Sequence, residues 1–245
     1  MTALGVIPAR HASTRFPAKV LADLGGKPLI QRVWEKANEA KQLDDVLIAC
    51  DHADVFKKAI SFGAKAVMTS PNHPSGSDRI AEAVGELEFD VIVNIQGDEP
   101  FIDPLTIDSL TVLLKNDADC QMGTVIKEIN NEADFNNPNV VKCVVDEQGY
   151  ALYFSRAPIP FNRNNALPAG SKRYKHLGLY AYRKNFLLQY KDWPKSMLEN
   201  MEQLEQLRVL EKGYRIKTVV TAYESIAVDV PEDLKRAEEW LARLN

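Results

Sequence analysis

Two common nucleotide signatures are missing from this sequence: it contains neither GxGxxG nor GxxxxGK[ST]. The first absence disfavours an NAD-dependent oxidoreductase, and the second disfavours a P-loop NTPase. Cysteine is scarce. Cys50, Cys120 and Cys143 lie far apart with no CxxC pair, which argues against a disulfide framework and a structural zinc site and points to a reducing compartment. An excess of basic charge is also missing. With a net charge of −4 the chain lacks the broad basic surface that nucleic-acid binding needs, although a local cationic cluster remains compatible with a small phosphate ligand. No apolar run is long enough to span a membrane, so no membrane insertion is expected. The first residues enter a strand pattern without the basic and apolar regions of a signal peptide, so the expected compartment is the cytoplasm. Internal repeats, low-complexity stretches and charge blocks are absent too.

What is there is a chain of 245 residues with 45% hydrophobic content, enough for one α/β domain spanning 1–245. Short apolar runs at Leu4–Ile7, Val46–Cys50, Ala64–Met68 and Val91–Ile95 read as strands. Between them, Pro28–Ala40, Asp54–Phe62 and Asp78–Leu87 read as amphipathic helices. This alternation implies βαβ units and a mostly parallel sheet. In the middle, Gln121–Glu128, Val140–Asp146 and Ala151–Ser155 read as strands without helices between them, and Asn130–Asn139 as a polar loop. The expectation is an antiparallel insertion over about 121–155 whose edge strands need covering, and so a homodimer through it. The last third returns to mixed structure: a helix over Leu198–Glu211, a strand over Ile216–Val220 and a Pro-led helix over Pro231–Leu244.

Open α/β sheets bind ligands beyond the carboxyl ends of their strands. The segment after the first strand, 8–19, carries Arg10, Arg15 and Lys19 with the hydroxyls of Ser13 and Thr14 and no acid. Arginine forks match phosphate oxygens and a lysine adds a point charge, which suits a triphosphate and a leaving pyrophosphate. A solvated basic loop is the plainer alternative. The buried run Val91–Ile95 ends in Gln96-Gly97-Asp98-Glu99-Pro100. Asp98 there is well placed to hold Mg²⁺ against phosphates, and Gly97 permits a close backbone approach. Asp229, between a short apolar strand and Pro231, completes such a metal pair or serves as a helix cap.

Taken together, the segments VIPARHASTRFPAK, LGGKPLIQRVWEKA, SGSDRIAEA, VNIQGDEPFIDP, YFSRAPIPF, HLGLYAYR, LEQLRVLEKG and VDVPEDL, in this order across nearly the whole chain, resemble the 3-deoxy-manno-octulosonate cytidylyltransferase (CMP-Kdo synthetase) family. The resemblance implies an α/β sheet of the nucleotide-diphospho-sugar-transferase type, with helices on both faces, and a dimer. It implies CTP as nucleotide donor, a 3-deoxy-octulosonic sugar acid as acceptor, Mg²⁺ as cofactor, and a role in lipopolysaccharide sugar supply. It places Arg10, Ser13, Arg15 and Lys19 near the CTP phosphates, with Lys19, Arg15 and Asp98 as the catalytic groups. Ser77, Asp78 and Arg79 match a segment near the nucleoside, and Asp98 and Asp229 match magnesium carboxylates. Gln96, Arg156, His176, Tyr180, Glu205 and Gln206 match segments lining the sugar acid, with Arg156 the candidate for its carboxylate.

The chain departs from the family where Ala18 replaces a glycine and Val20 a proline, and where Ala227 precedes Val228-Asp229; no charged group is lost. Three alternatives stay open: an 8-amino sugar as acceptor, an acylneuraminate-type cytidylyltransferase, and a non-catalytic nucleotide-binding regulator. The segments HLGLYAYR and LEQLRVLEKG speak against the second, and retention of Lys19, Asp98 and Asp229 against the third.

Overall fold

The computed structural model describes residues 1–12, 15–163, 170–224 and 226–244. Its first half alternates β1 (Ala3–Ala9), β2 (Asp23–Leu24), β3 (Lys27–Pro28), α1 (Leu29–Asn38), β4 (Asp45–Cys50), α2 (Ala53–Ser61), β5 (Lys65–Met68), α3 (Gly76–Val84) and β6 (Val91–Asn94). There follow α4 (Pro104–Asn116), β7 (Met122–Glu128), α5 (Glu132–Asn136), β8 (Lys142–Val145), β9 (Ala151–Ser155) and β10 (Tyr174–Arg183). The chain closes with α6 (Lys184–Tyr190), α7 (Met197–Glu202), α8 (Leu207–Glu211), β11 (Ile216–Thr221) and α9 (Pro231–Leu244).

One sheet runs in the order β11-β7-β10-β6-β1-β4-β5. Every strand on this path is parallel to the others except β10, which is antiparallel to both β6 and β7. Side chains alternate across a strand, and β1 buries both sets. Ala3, Ile7 and Ala9 enter the cluster that includes Ile30 and Val33 of α1 and Ile107 and Leu110 of α4. Leu4 and Val6 enter the opposite cluster, with Ile80 and Val84 of α3 and Phe186 and Leu187 of α6. Burial on both faces is why the parallel strands read as continuous apolar runs. The three cysteines are buried, and burial pushes their thiols up, to about 11 for Cys50 and Cys120 and about 12 for Cys143.

The α/β class and the early elements follow the sequence expectation to within a few residues at their ends. Three differences matter. First, β7 is not part of an insertion: it pairs in parallel with β11 inside the main sheet, and only β8 and β9 extend sideways from β10. Second, the polar stretch expected as a loop contains α5, started by the Asn131 side chain accepting from Asp134 N–H. Third, the helix expected over 198–211 is two helices. Gln203 adopts a left-handed conformation (φ 54°, ψ 47°), which stops α7, and α8 begins only at Leu207. The helix α4, which begins with Asp103 as cap and Pro104 at its first turn, was not read from the sequence.

The parallel register aligns the strand ends. Ala9 lies opposite Cys50, and Cys50 opposite Met68, so the connections after β1, β4 and β5 all leave from one edge. The turn after β6 joins them. A Cβ at Gly97 would sit 2.9 Å from the Pro8 carbonyl oxygen, so glycine is required for this close crossing. No helix among the described residues is long and apolar enough to cross a membrane.

Candidate active site

A cavity of about 350 Å³ opens along this edge, lined by Arg10, Arg15, Lys19, Arg79, Gln96, Gly97, Asp98 and Asp229 among others. Lys19 organises it. A short 3₁₀ turn, Lys19–Leu21, begins at Ala18 with φ 53° and ψ 27°. This left-handed conformation is the reason a glycine would be unstrained where alanine stands. The turn aims Lys19 inward, where its Nζ donates to Asp98 Oδ2 at 2.8 Å and to Asp229 Oδ1 at 3.1 Å. Its side chain is 12% exposed, so it is not part of a solvated basic loop. Burial works against its charge, but the two carboxylates outweigh burial and raise its pKa above the ordinary lysine value.

Asp229 reaches this point because α9 packs on the β2–β3 hairpin, with Val228 and Ala237 buried against Leu24 and Leu29. The capping alternative for Asp229 does not hold. Asp233 accepts from the N–H groups of Asp229 and Val230 and so caps α9, which leaves the Asp229 carboxylate to Lys19 and to Arg15 Nη2 at 3.2 Å. The turn around Asp98 is tied to the same segment by the Val228 N–H bond to the Asp98 carbonyl at 2.9 Å.

Two partly exposed aspartates from elements far apart in sequence therefore share one ammonium. Hard oxygen donors presented with room for water and phosphate suit Mg²⁺, so the pair fits the ion implied by the resemblance. Among the described residues, His11, His52 and Asp54 also offer ligand atoms within 4.8 Å of one another. The two imidazoles, however, stack with centroids 4.0 Å apart and planes 17° from parallel, so their in-plane lone pairs run side by side instead of converging. His52 Nδ1 is moreover occupied in accepting Asp54 N–H at the start of α2.

The other expected residues fall into four groups. Arg10 is exposed at the cavity and donates to the His73 carbonyl at 3.3 Å. Ser13 lies outside the described residues. Arg79 lines the cavity but is buried, with Nη1 donating to Thr69 and Ser70 and Nη2 to Asp51. Ser77 is buried within α3, and Asp78 accepts from Ser75 Oγ at 2.6 Å. Neither Ser77 nor Asp78 lines the cavity, and Asp78 faces a neighbouring cleft with Glu205.

Gln96 lines the cavity and, through the strand β10, adjoins a second group made of His176, Tyr180 and Gln206. Gln96 Nε2 donates to Gly178 O at 2.9 Å, and Tyr180 Oη to Gln206 Oε1 at 3.2 Å. His176 meets Thr124 Oγ1 at 2.9 Å and packs against Phe154 and Tyr180. Burial pushes its imidazole down to about 3, so it is neutral at ordinary pH. Gln206 Nε2 is buried and has no hydrogen-bond partner among the described residues. Burial raises the Glu205 carboxyl, with the Asp78 charge adding to it, although bonds from Ser77 and Tyr190 oppose the rise.

Arg156 stands apart from the others. Its guanidinium donates to the carbonyls of Glu202, Pro138 and Gln203, so it pins β9 to the end of α7 and does not line the cavity. The sequence reading also missed Asp51. Its position just after a buried strand was the available signal, the same one that singled out Asp98.

Residues 4–218 match the cytidylyltransferase family model. The chain is 49% identical to the 3-deoxy-manno-octulosonate cytidylyltransferase of Thermodesulfovibrio yellowstonii over 98% of both chains. It is 51% identical to that of Solibacter usitatus over 95% of this chain and 92% of the relative. A solved CMP:2-keto-3-deoxy-manno-octonic acid synthetase in complex with CTP superposes with a TM-score of 0.95 at 39% identity, covering both chains fully. At 12% identity, 4-diphosphocytidyl-2C-methyl-D-erythritol synthase from Anaerococcus prevotii shares the fold alone (TM-score 0.65, 99% of each chain). With a matched family model over most of its length and relatives near half identical from end to end, the chain belongs to the 3-deoxy-manno-octulosonate cytidylyltransferase family.

Proposed function

We propose that the protein transfers CMP from CTP to the anomeric hydroxyl of 3-deoxy-D-manno-octulosonate and releases pyrophosphate. The observation that carries this reading is the Lys19 ammonium shared by Asp98 and Asp229, with Arg15 at the same carboxylate. The anomeric hydroxyl gives up its proton to water as its oxygen attacks the α-phosphorus, the bond to the bridging oxygen breaks, and pyrophosphate leaves in line. Such a displacement depends on positioning and charge stabilisation. Arg10, Arg15 and Lys19 spread the triphosphate charge, and Arg15 and Lys19 stabilise the leaving group. Asp98 and Asp229 would hold Mg²⁺, which when bound neutralises phosphate charge and makes a coordinated hydroxyl more acidic.

The sugar acid fits beside the cavity, against Gln96, His176, Tyr180 and Gln206. A buried amide nitrogen without a partner supports a polar ligand there, since such groups are normally bonded. The neutral His176 offers its ring as a hydrogen-bonding group and not as a charge. The reaction belongs in the cytoplasm and supplies an activated sugar for lipopolysaccharide.

The test is pyrophosphate release with the sugar acid and each nucleoside triphosphate in turn. CTP should exceed ATP and GTP by at least about tenfold, because the cytosine pocket implied by the family would exclude the larger bases. Equal turnover with ATP removes the reading. The same assay with the 8-amino sugar and with sialic acid decides the acceptor.

We also infer a two-fold homodimer through β9 and α7. Among the described residues β9 has β8 as its ladder partner; Tyr150, just before it, bridges Lys217 of β11, and beyond that bridge the other edge of β9 carries no strand. Leu152 on β9, Phe161 beyond it, and Met197 and Met201 one turn apart on α7 are all more than half exposed. Bonds from Ser155 and Arg156 to Glu202 hold the two segments together. An open edge beside exposed apolar side chains fits a second copy of the chain. Light scattering at micromolar concentration should give twice the monomer mass, and Leu152→Lys with Met201→Lys should give the monomer. A strictly monomeric wild type overturns this assembly.

A further inference from the structure

Arg10, Ala12, Arg15 and Lys19 on one side and Gly76 and Arg79 of α3 on the other line the cavity, and one buried carboxylate bonds to both sides. Asp51, directly after β4, is 5% exposed in its side chain. Its Oδ1 accepts the backbone N–H of His11 at 2.8 Å. Its Oδ2 accepts Nη2 of Arg79 at 3.0 Å. The other arm of Arg79 continues the chain of bonds, donating to Thr69 Oγ1 at 2.5 Å and to the Ser70 carbonyl at 3.3 Å. Because Ala9, Cys50 and Met68 end their strands level with one another, these bonds tie together the first residues leaving β1, β4 and β5.

We propose that Asp51 is a positioning residue for the nucleotide: it fixes where the phosphate-binding loop leaves the sheet and how Arg79 presents its guanidinium to the cavity. This inference rests on the cytidylyltransferase reading. Stability alone is a weak reason for such a group, since a buried ion pair pays for its own desolvation and adds little net energy. What the pair supplies is geometry. The His11 amide lies one residue beyond Arg10 and in the same loop as Arg15 and Lys19, so a shift there moves all three cations. Arg79 is 1% exposed and lines the cavity, so the carboxylate that holds it also sets the cavity wall. Asp51 itself does not line the cavity and acts through the two groups it holds.

Both partners of Asp51 are donors. Asparagine has the same shape but only one acceptor oxygen, so its NH₂ must face either His11 N–H or Arg79. Asp51→Asn is therefore expected to raise the KM for CTP about tenfold, from the loss of one hydrogen bond to a charged acceptor. The KM for the sugar acid should change by less than about twofold, because Gln96 follows β6, His176 lies on β10 and Gln206 starts α8, none of which Asp51 bonds. Calorimetric titration with CTP alone should show the same loss. A role confined to stability would lower the unfolding temperature and the folded fraction but leave the KM for CTP of the folded enzyme unchanged. An unchanged KM for CTP in folded Asp51→Asn overturns the inference while wild-type turnover keeps the enzymatic reading intact. If wild type itself fails to release pyrophosphate from CTP, the enzymatic reading fails instead, and CTP binding still decides the role of Asp51. Should Asp51→Asn fail to fold, Thr69→Val decides: it removes the far acceptor of Arg79 and should raise the KM for CTP about threefold. No change in that variant overturns the inference equally.

Discussion

Asp98→Asn should lower turnover by on the order of 10²–10³-fold while leaving the fold in place. The substitution keeps the size of the side chain and one acceptor oxygen, but removes the negative charge. In the structure Asp98 shares the Lys19 ammonium with Asp229, so the variant leaves Lys19 one charged partner and does not strand it. The main-chain carbonyl of Asp98, which accepts from Val228, is unaffected. Asp98 is 27% exposed in its side chain, and a partly exposed ion pair contributes about 1 kcal/mol or less to stability. Catalysis is another matter. Removing one preorganised electrostatic group from a site of developing charge costs about 10²–10³ in rate, and a site that also loses a Mg²⁺ carboxylate loses the ion's contribution too. On the proposed placement of CTP, Arg10, Arg15 and Lys19 would still face the triphosphate, so affinity for CTP should fall much less than turnover. Steady-state rates across a Mg²⁺ titration, with thermal unfolding as control, decide the matter. Near wild-type activity at low Mg²⁺ would show that Asp98 neutralises Lys19 and does no more.

The contrast between Asp98 and the residues around it explains what the sequence could and could not convey. A buried parallel strand is a continuous apolar run, so its end is visible, and the loops at Arg10–Lys19 and at Gln96–Asp98 could be located from that alone. The sequence cannot convey the meeting of Lys19 with Asp229, 210 positions away. That pairing depends on α9 docking on the β2–β3 hairpin: the apolar stripe Leu234, Ala237 and Leu241 is legible locally, but the surface it packs on is not. For the same reason Asp229 looked like a cap: the sequence offers two acids for one helix start, and only the structure assigns the role to Asp233. Arg156 misled in the opposite direction. Its segment matched, but the carbonyls exposed at the end of α7 capture its guanidinium. That capture exists because α7 stops at Gln203, where a left-handed backbone breaks a stretch whose periodicity reads as one helix. Local propensity favoured continuation there, and tertiary packing of Leu204 and Leu207 into the core prevailed.

The break between α7 and α8 is itself held by one ion pair, and removing half of it should cost several times more stability than Asp98→Asn. Arg208 on α8 donates through Nε and Nη2 to the two oxygens of Glu199 on α7, both at 2.7 Å. The two side chains are 6% and 8% exposed. Arg208 also donates to the Trp193 carbonyl at 3.2 Å and lies 4.8 Å from the Tyr190 ring centre. Burial opposes its charge, yet the bonds to Glu199 prevail and raise its pKa above the ordinary arginine value. Arg208→Met fills most of the volume but leaves the Glu199 carboxylate buried with only the Ser196 N–H and its helix for company. Breaking one side of a buried pair costs about 3–5 kcal/mol. For a chain of this size that corresponds to a fall of roughly 6–20 °C in the unfolding midpoint. Pairing it with Glu199→Gln removes the stranded charge and should recover much of the loss, which separates the ionic contribution from lost packing. The sugar side of the site should respond as well. Glu205 and Gln206 lie between the two helices, so the KM for the sugar acid should rise in Arg208→Met while that for CTP stays near the wild-type value. A midpoint within about 2 °C of wild type would mean that the pair is replaceable by the apolar contacts of Leu204 and Leu207, and that those contacts alone hold the turn that carries Gln206.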